Sequence, residues 1–370
     1  MSIRPETSGE RVAGLDIIRF VAAALVMFYH LGTDKAAFPE LFGVTWSGFV
    51  GVEIFFVISG FVITYSAAST SALSFLRSRI VRLYPAVWIC ATVSVATVWT
   101  FNLESPLHLL HGYFNSLVLF PFRPWADSVY WTLGIEMAFY AAIFCLLAVK
   151  SFHRISIVCY VLGGASAVYW LLGTMVVPSF LRDHLWSRPV ELSLISYGIF
   201  FALGILLYSA QKSGFSPALV AFSTVLMIAA TVEIHYKAAH NNLIFHSAEP
   251  EALSLAIFFV AIAAMVASLR WKVSPPTASV LRIVGLATYP LYLIHDNFGK
   301  VALSTLLDRG FNRYVALGAA VSLCIVSSFL VAIILEPPIQ RVIRMIFDRA
   351  ISARHTLLPS ALSPRGFRGW

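Results

Sequence analysis

Residues 14–32 read GLDIIRFVAAALVMFYHLG, an apolar run that nevertheless carries Asp16, Arg19 and His30. Ionisable groups inside a membrane span are costly, so their presence asks for a function. Arg19 and His30 lie eleven residues apart. At about 100° per residue that spacing returns both side chains to nearly one helix face, roughly 16 Å apart along the axis. One face thus carries a cation near one membrane surface and an imidazole near the other. Such a face suits a site that grips an anionic donor at one end and does chemistry at the other.

The rest of the chain has the same character. It has 370 residues, of which 59% are hydrophobic and 12% charged. That balance fits a polytopic membrane protein and excludes disorder or a soluble enzyme. Apolar segments at 14–31, 47–66, 84–101, 129–149, 155–177, 190–209, 216–235, 252–269, 280–298 and 314–335 approach the length of about 20 residues that a crossing needs. The predicted fold is all-α, an integral membrane protein of about ten transmembrane helices in one domain, 10–345, followed by a basic cytoplasmic tail, 346–370. The segment 102–128 contains HLLHGYFNSLVLFPF, short and interrupted by two histidines and Asn115. It reads as an interfacial or re-entrant piece. The first segment lacks a small-residue cleavage site and is kept as a span. Cys90, Cys145, Cys159 and Cys324 fall in apolar runs without disulfide or metal spacing, so packing is their expected role and no metal is expected.

A net charge of +8 could suggest nucleic acid. The basic residues are instead spread over short loops, which is a topology signal, and no nucleic-acid partner is expected. With the N-terminus cytoplasmic, the inner loops and tail hold 17 Lys and Arg and the outer loops 8. Both termini are therefore expected inside, in the plasma membrane (the inner membrane of a bacterium). The stretch from Ile339 is amphipathic and basic, as for a segment lying on an anionic leaflet. Asp16 and Arg19, spaced to pair at i, i+3, then lie near the inner face with Arg79, Arg82, Arg282 and Glu336. His30, Glu53, Glu136 and His295 lie toward the outer face.

An enzyme moving an acyl group from coenzyme A would use both poles. Clustered arginines bind phosphates through bidentate hydrogen bonds. A hydroxyl acceptor needs a general base of near-neutral pKa, and His30 is the best-placed candidate. A carboxylate accepting its other ring N–H would fix the tautomer, and either Glu53 or Glu136 can serve. Each residue also has a plainer reading. Arg19 can pair with Asp16 and snorkel, Arg79 and Arg82 can be topology determinants, and His30 can be a satisfied interfacial histidine. His295 reads better as a helix cap or loop anchor. Ser59, in ISG, reads as close helix packing and not as a nucleophile.

Taken together, the residues resemble the membrane acyltransferase 3 family. GLDIIRFVAAALVMFYH looks like its opening segment. GVEIFFVISGFVIT looks like its second-span signature, with Glu53 where many members carry Asp. RSRIVRLYPAVW is similar to its arginine motif, and WTLGIEMAFY to its Trp-Ser-Leu-x-x-Glu-x-x-Phe-Tyr run, with Thr132 for Ser. LATYPLYLIHDNF resembles its late histidine element, with Thr288 for Ser. At 336–338 the chain has EPP, with Pro337 where the family pattern has Arg. The likeness covers approximately 10–345. It implies that His30 is the essential catalytic histidine, that Arg19, Arg79 and Arg82 bind the donor, and that Glu136 is a catalytic-site carboxylate; Glu53 is the other candidate.

The expected function is an integral membrane O-acyltransferase that transfers an acyl group, taken as acetyl, from acyl-CoA to a hydroxyl of a cell-surface or lipid-linked saccharide. An acyl-histidine intermediate is an open variant of the mechanism. The rival reading is a transporter or flippase of a lipid-linked or anionic solute, which also explains buried charge but would usually bring inverted repeats and broken helices. A non-catalytic scaffold leaves costly groups at two depths unexplained.

Overall fold

The computed structural model describes residues 13–176, 187–271 and 273–357. Those residues form helices and connecting turns, with no strand among them. In chain order the helices are α1 (Ala13–Gly32), α2 (Pro39–Trp46), α3 (Gly51–Ala67), α4 (Ala72–Thr100), α5 (Pro106–Leu117), α6 (Trp131–Ala148), α7 (Ile155–Val176) and α8 (Arg188–Leu192). They continue with α9 (Gly198–Ser213), α10 (Pro217–Ile244), α11 (Ala252–Ser268), α12 (Pro275–Ile294), α13 (Asn297–Asp308), α14 (Arg313–Leu330) and α15 (Glu336–Leu357). Eight helical stretches are long and apolar enough to cross a membrane, as expected of an all-α polytopic protein. The segments predicted at 190–209 and 252–269 fold as shorter helices, α9 of 16 residues and α11 of 17. The segment 102–128 gives the 12-residue α5 and a turn-rich return, and does not span.

Several boundaries differ from the expected ones, each for a local reason. The third span begins at residue 72, not 84, because Ser71 caps it by accepting the backbone N–H of Ser74. Arg79 and Arg82 therefore sit inside α4 and not in a loop before it. Ser216 and Ser274 cap α10 and α12, each with a proline at the first helical position. α10 runs to Ile244, nine residues past the predicted end of its apolar run at 235. The last span does not stop at Glu336. It passes through a π-helical turn, Val331–Leu335, into α15. Pro337 and Pro338 lack the N–H groups that would close α-helical bonds there, which favours the wider turn. The predicted tail divides: 346–357 continues α15, where Arg77 of α4 pairs with Asp348 at 2.8 Å, and 358–370 lies outside the described residues.

α3 is the hub. In its span, Pro39–Ala67, 89% of the apolar window is buried, against 28–44% for the other spans. Its closest partner is α9, which it meets through Gly60 and Gly204. A Cβ on either glycine would strike the partner's backbone, at Phe201 O and Val57 O respectively. Small residues are what let two apolar helices approach this closely in a membrane, where dispersion contacts drive association. α1 packs on the other side of α3 and against α12, so α1, α3, α4, α6 and α12 surround the bundle interior. Replacing Gly204 with Val should force α3 and α9 apart and cost about 1–3 kcal/mol. Reversible unfolding in mixed micelles would measure this, and an unchanged midpoint would remove α3–α9 as the central contact.

Candidate functional site: two chambers in one bundle

Two adjoining chambers with polar walls lie in the interior. The first, of about 410 Å³, is lined by Arg19 of α1, Ser59 of α3, Arg79 and Arg82 of α4, and Glu136 and Tyr140 of α6. Sequence alone put Glu136 at the outer pole; it lies with the arginines instead. Its Oε1 accepts hydrogen bonds from Ser59 Oγ at 2.9 Å and Tyr140 Oη at 2.6 Å, so Ser59 orients a carboxylate as well as packing. Arg79 donates to Ser66 Oγ at 3.2 Å and lies 5.3 Å from the Phe75 ring. The expected Asp16–Arg19 pair does not form. Asp16 is buried against Gly285 of α12, where the absence of a Cβ makes room for its carboxylate. Arg19 is half-buried at the chamber wall, without an ion pair to another described residue. Three guanidinium groups thus face one carboxylate, which gives this chamber a surplus of positive charge.

The second chamber, of about 640 Å³, is lined by His30 and Tyr29 of α1, Trp131 of α6, and Lys237 and Asn241 of α10. His30 Nδ1 lies 3.2 Å from Asp296 Oδ1, at the turn between α12 and α13. The carboxylate partner of His30 is therefore neither Glu53 nor Glu136. The other Asp296 oxygen accepts Ser128 Oγ at 2.5 Å, and Lys300 Nζ approaches Oδ1 at 2.5 Å. Burial alone would raise the Asp296 carboxyl, but His30 and Lys300 overcome this and hold it below the ordinary carboxylate range. A carboxylate at Nδ1 makes that nitrogen the N–H donor and leaves Nε2 with a free lone pair.

His295 lies beside this pair, its ring tilted by 55° to that of His30 with centroids 5.2 Å apart. Its Nδ1 lies 3.1 Å from Leu291 O and must be the donor, because a carbonyl only accepts. Burial, then the neighbouring His30, lowers its pKa to about 3, so it is neutral. This matches the capping role expected from sequence. Behind it Asp127 accepts Ser94 Oγ at 3.0 Å and the Asn297 backbone N–H at 3.1 Å. Burial and the adjacent Asp296 push the Asp127 carboxyl well above the ordinary carboxylate range.

Glu53 is fully buried and ion-paired with Lys237, whose ammonium also lies 5.6 Å from the Trp131 and Tyr197 rings. Glu233, also fully buried on α10, joins that pair electrostatically. Sequence reading missed Asp296, Lys237 and Glu233. Asp296 directly follows the singled-out His295, which was the available signal; α10 carries no motif. Arg19 and His30, on one face of α1, do not line one common cavity. They face two chambers that share Val52 and Tyr292 as wall residues. Tyr292 Oη is 2.9 Å from Thr132 Oγ1, which ties the shared wall to α6. Among the described residues no group of three or more His, Cys, Asp or Glu is placed to hold a metal ion.

Known proteins give the same frame. The chain is 33% identical over 172 residues to nodulation protein 10 of Rhizobium leguminosarum bv. viciae, covering 39% of this chain and 46% of that protein. It is 26% identical over 189 residues to the exopolysaccharide production protein ExoZ of Rhizobium meliloti, covering 46% and 58%. It is 28% identical over 167 residues to the O-acetyltransferase OatA of Staphylococcus aureus, covering 38% and 25%. The matched stretch thus spans about half the length of the first two relatives and a quarter of the third. No solved structure matches. Residues 12–336 match the acyltransferase domain family across its membrane helices, and the chain belongs to that family.

Proposed function

We propose that this protein transfers an acyl group from a cytoplasmic acyl-CoA to a hydroxyl of a saccharide, across the wall between its two chambers. The observation that carries the reading is the His30–Asp296 pair, 3.2 Å apart, facing one chamber while three arginines face the next. The loop charge supports cytoplasmic termini, and hence an arginine chamber on the cytoplasmic side of a plasma membrane. There Arg19, Arg79 and Arg82 hold the phosphates of the donor, and Glu136 keeps the arginines apart and oriented. The acyl thioester reaches past Tyr292 toward His30. His30 Nε2 takes the proton of the acceptor hydroxyl as its oxygen bonds to the thioester carbonyl carbon. The tetrahedral intermediate collapses by breaking the C–S bond, and the thiolate leaves with the proton held by the imidazolium. Asp296 stabilises that imidazolium and fixes its orientation. In the variant with an acyl-histidine, Nε2 attacks the carbonyl first and expels the coenzyme A thiolate; the acceptor hydroxyl oxygen then bonds to the acyl carbon as the C–N bond breaks, and the freed imidazole takes its proton. Acetyl is the acyl group favoured, by likeness to an O-acetyltransferase, and names such as ExoZ favour a polysaccharide acceptor.

The rival transporter reading separates cleanly. Labelled acetyl-CoA given to membranes should release coenzyme A in proportion to acylated acceptor, and His30→Ala should fold, insert and lose that release. Solute accumulation without coenzyme release would favour transport. Asp296→Asn keeps the shape but loses the charge that orients the imidazole. It should lower kcat by about 10²- to 10⁴-fold with little change in donor KM, and a variant as fast as wild type would remove Asp296 from the mechanism. Arg19→Ala breaks no ion pair among the described residues, and losing a charge-assisted hydrogen bond of about 1.5–3 kcal/mol should raise donor KM some ten- to hundredfold. An unchanged KM would place the phosphates elsewhere. Tyr292→Ala opens the shared wall and should raise the ratio of butyryl- to acetyl-CoA turnover; an unchanged ratio would mean that the acyl group does not pass there.

A further inference from the structure

The second chamber carries polar groups that acyl transfer at His30 does not require. Glu233, Lys237 and Asn241 recur at four-residue intervals on α10, which sets them along one helix face. Lys237 and Asn241 line the chamber. Lys237 is gripped by Glu53 and further compensated by Glu233, so its ammonium is held in one place. Asn241 is 6% exposed, and its amide Nδ2 has no hydrogen-bond partner among the described residues. A buried amide donor left unpaired is costly and rare, and a chamber wall is where a ligand would satisfy it.

The other walls are aromatic. Trp131 stands beside the Tyr197 ring with centroids 5.8 Å apart, and Trp125 carries the Arg188 guanidinium at 5.2 Å. Two of the cations around them are ion-paired. Arg188 pairs with Glu191 at 2.9 Å and donates from Nε and Nη2 to the carbonyls of Pro121 and Trp131. Lys237 faces two glutamates. Arg123, exposed at the mouth against Trp125, adds a further positive charge to this wall. In the arginine chamber Arg19, Arg79 and Arg82 face Glu136, whose Oε1 accepts hydrogen bonds from Ser59 and Tyr140.

Ion-paired cations, flat aromatic walls and fixed hydrogen-bond donors are what a neutral pyranose needs. Its C–H face packs on an indole, and its hydroxyls accept from an ammonium and an amide while donating to the amide oxygen. We propose that the second chamber is an acceptor subsite for an uncharged sugar ring, stacked on Trp131 and hydrogen-bonded by Lys237 and Asn241, with one hydroxyl turned to His30. A volume near 640 Å³ lies within the usual range of about 300–1,000 Å³ for small-ligand sites. This rests on the acyltransferase reading, and it specifies the chemistry of the acceptor at the point of transfer.

Saturation-transfer difference NMR on the full chain in nanodiscs tests it, using methyl glucoside, methyl galactoside, methyl N-acetylglucosaminide and the charged methyl glucuronide as probes. At least one neutral glycoside should give ring-proton signals stronger than those of the glucuronide. Asn241→Ala should reduce that signal at least about fivefold, the effect of one lost hydrogen bond. Trp131→Leu should do the same if Asn241→Ala does not purify folded. Retention of labelled acetyl-CoA should stay within about twofold of wild type in either variant, since neither residue lines the donor chamber. Absence of signal from every neutral glycoside, preference for the glucuronide, or indifference to both substitutions would overturn the subsite. A fully active His30→Ala enzyme would sink the catalytic reading alone, because the sugar signal does not depend on turnover.

Discussion

A carboxylate meeting an imidazole at 3.2 Å at one end of the bundle is the interaction on which the functional arrangement depends. Burying either group alone is expensive, and burying them together with Ser128 and Lys300 makes the burial tolerable. The contact also joins distant parts of the chain. His30 ends α1, while Asp296 starts α13. Their meeting draws the first helix onto the twelfth and closes one wall of the second chamber. The same first helix carries Arg19 into the other chamber, so one element sets the depth of both chemistries.

The hub helix α3 explains why there are two chambers and not one. Its glycine contact with α9 takes it deep into the bundle, and its first turn presents Val52 to both cavities. Tyr292 completes the wall, held by Thr132. Glu53, on the same turn of α3, faces away into the α10 seam and meets Lys237. A single residue step along this helix therefore separates a partition residue from an ion-pair residue. The charge difference between the chambers follows from which helix ends line them: arginines of α1 and α4 in one, compensated pairs from α3, α8 and α10 in the other.

Much of this was legible in the chain. Arg19 and His30 lie at the depths that their spacing implies, and the apolar segments mark the helices. The arginines at 79 and 82 reach the same chamber as Arg19, as a donor site would need. What was not legible was the pairing of acids with bases. Glu53, Glu136 and Asp296 are all carboxylates near an imidazole in sequence-derived depth, and only tertiary packing decides which one touches it. Lys237 was hidden for a simpler reason. Hydropathy ends the α10 span at 235, so Lys237 counts as a loop residue, whereas the helix continues to Ile244 and turns it inward. Asp16 shows the same limit in reverse. Its i, i+3 spacing to Arg19 allows a pair, but a glycine on α12 offers the carboxylate a different place.

The most direct test of the account reads the tautomer of His30. Nitrogen-15 NMR of histidine-labelled protein, with the signal assigned by its loss in His30→Gln, separates a protonated from an unprotonated ring nitrogen. The account predicts a neutral ring with the proton on Nδ1 and a bare Nε2, and a shift of that balance when Asp296 becomes Asn. A ring protonated on Nε2, or a spectrum indifferent to Asp296, would contradict it.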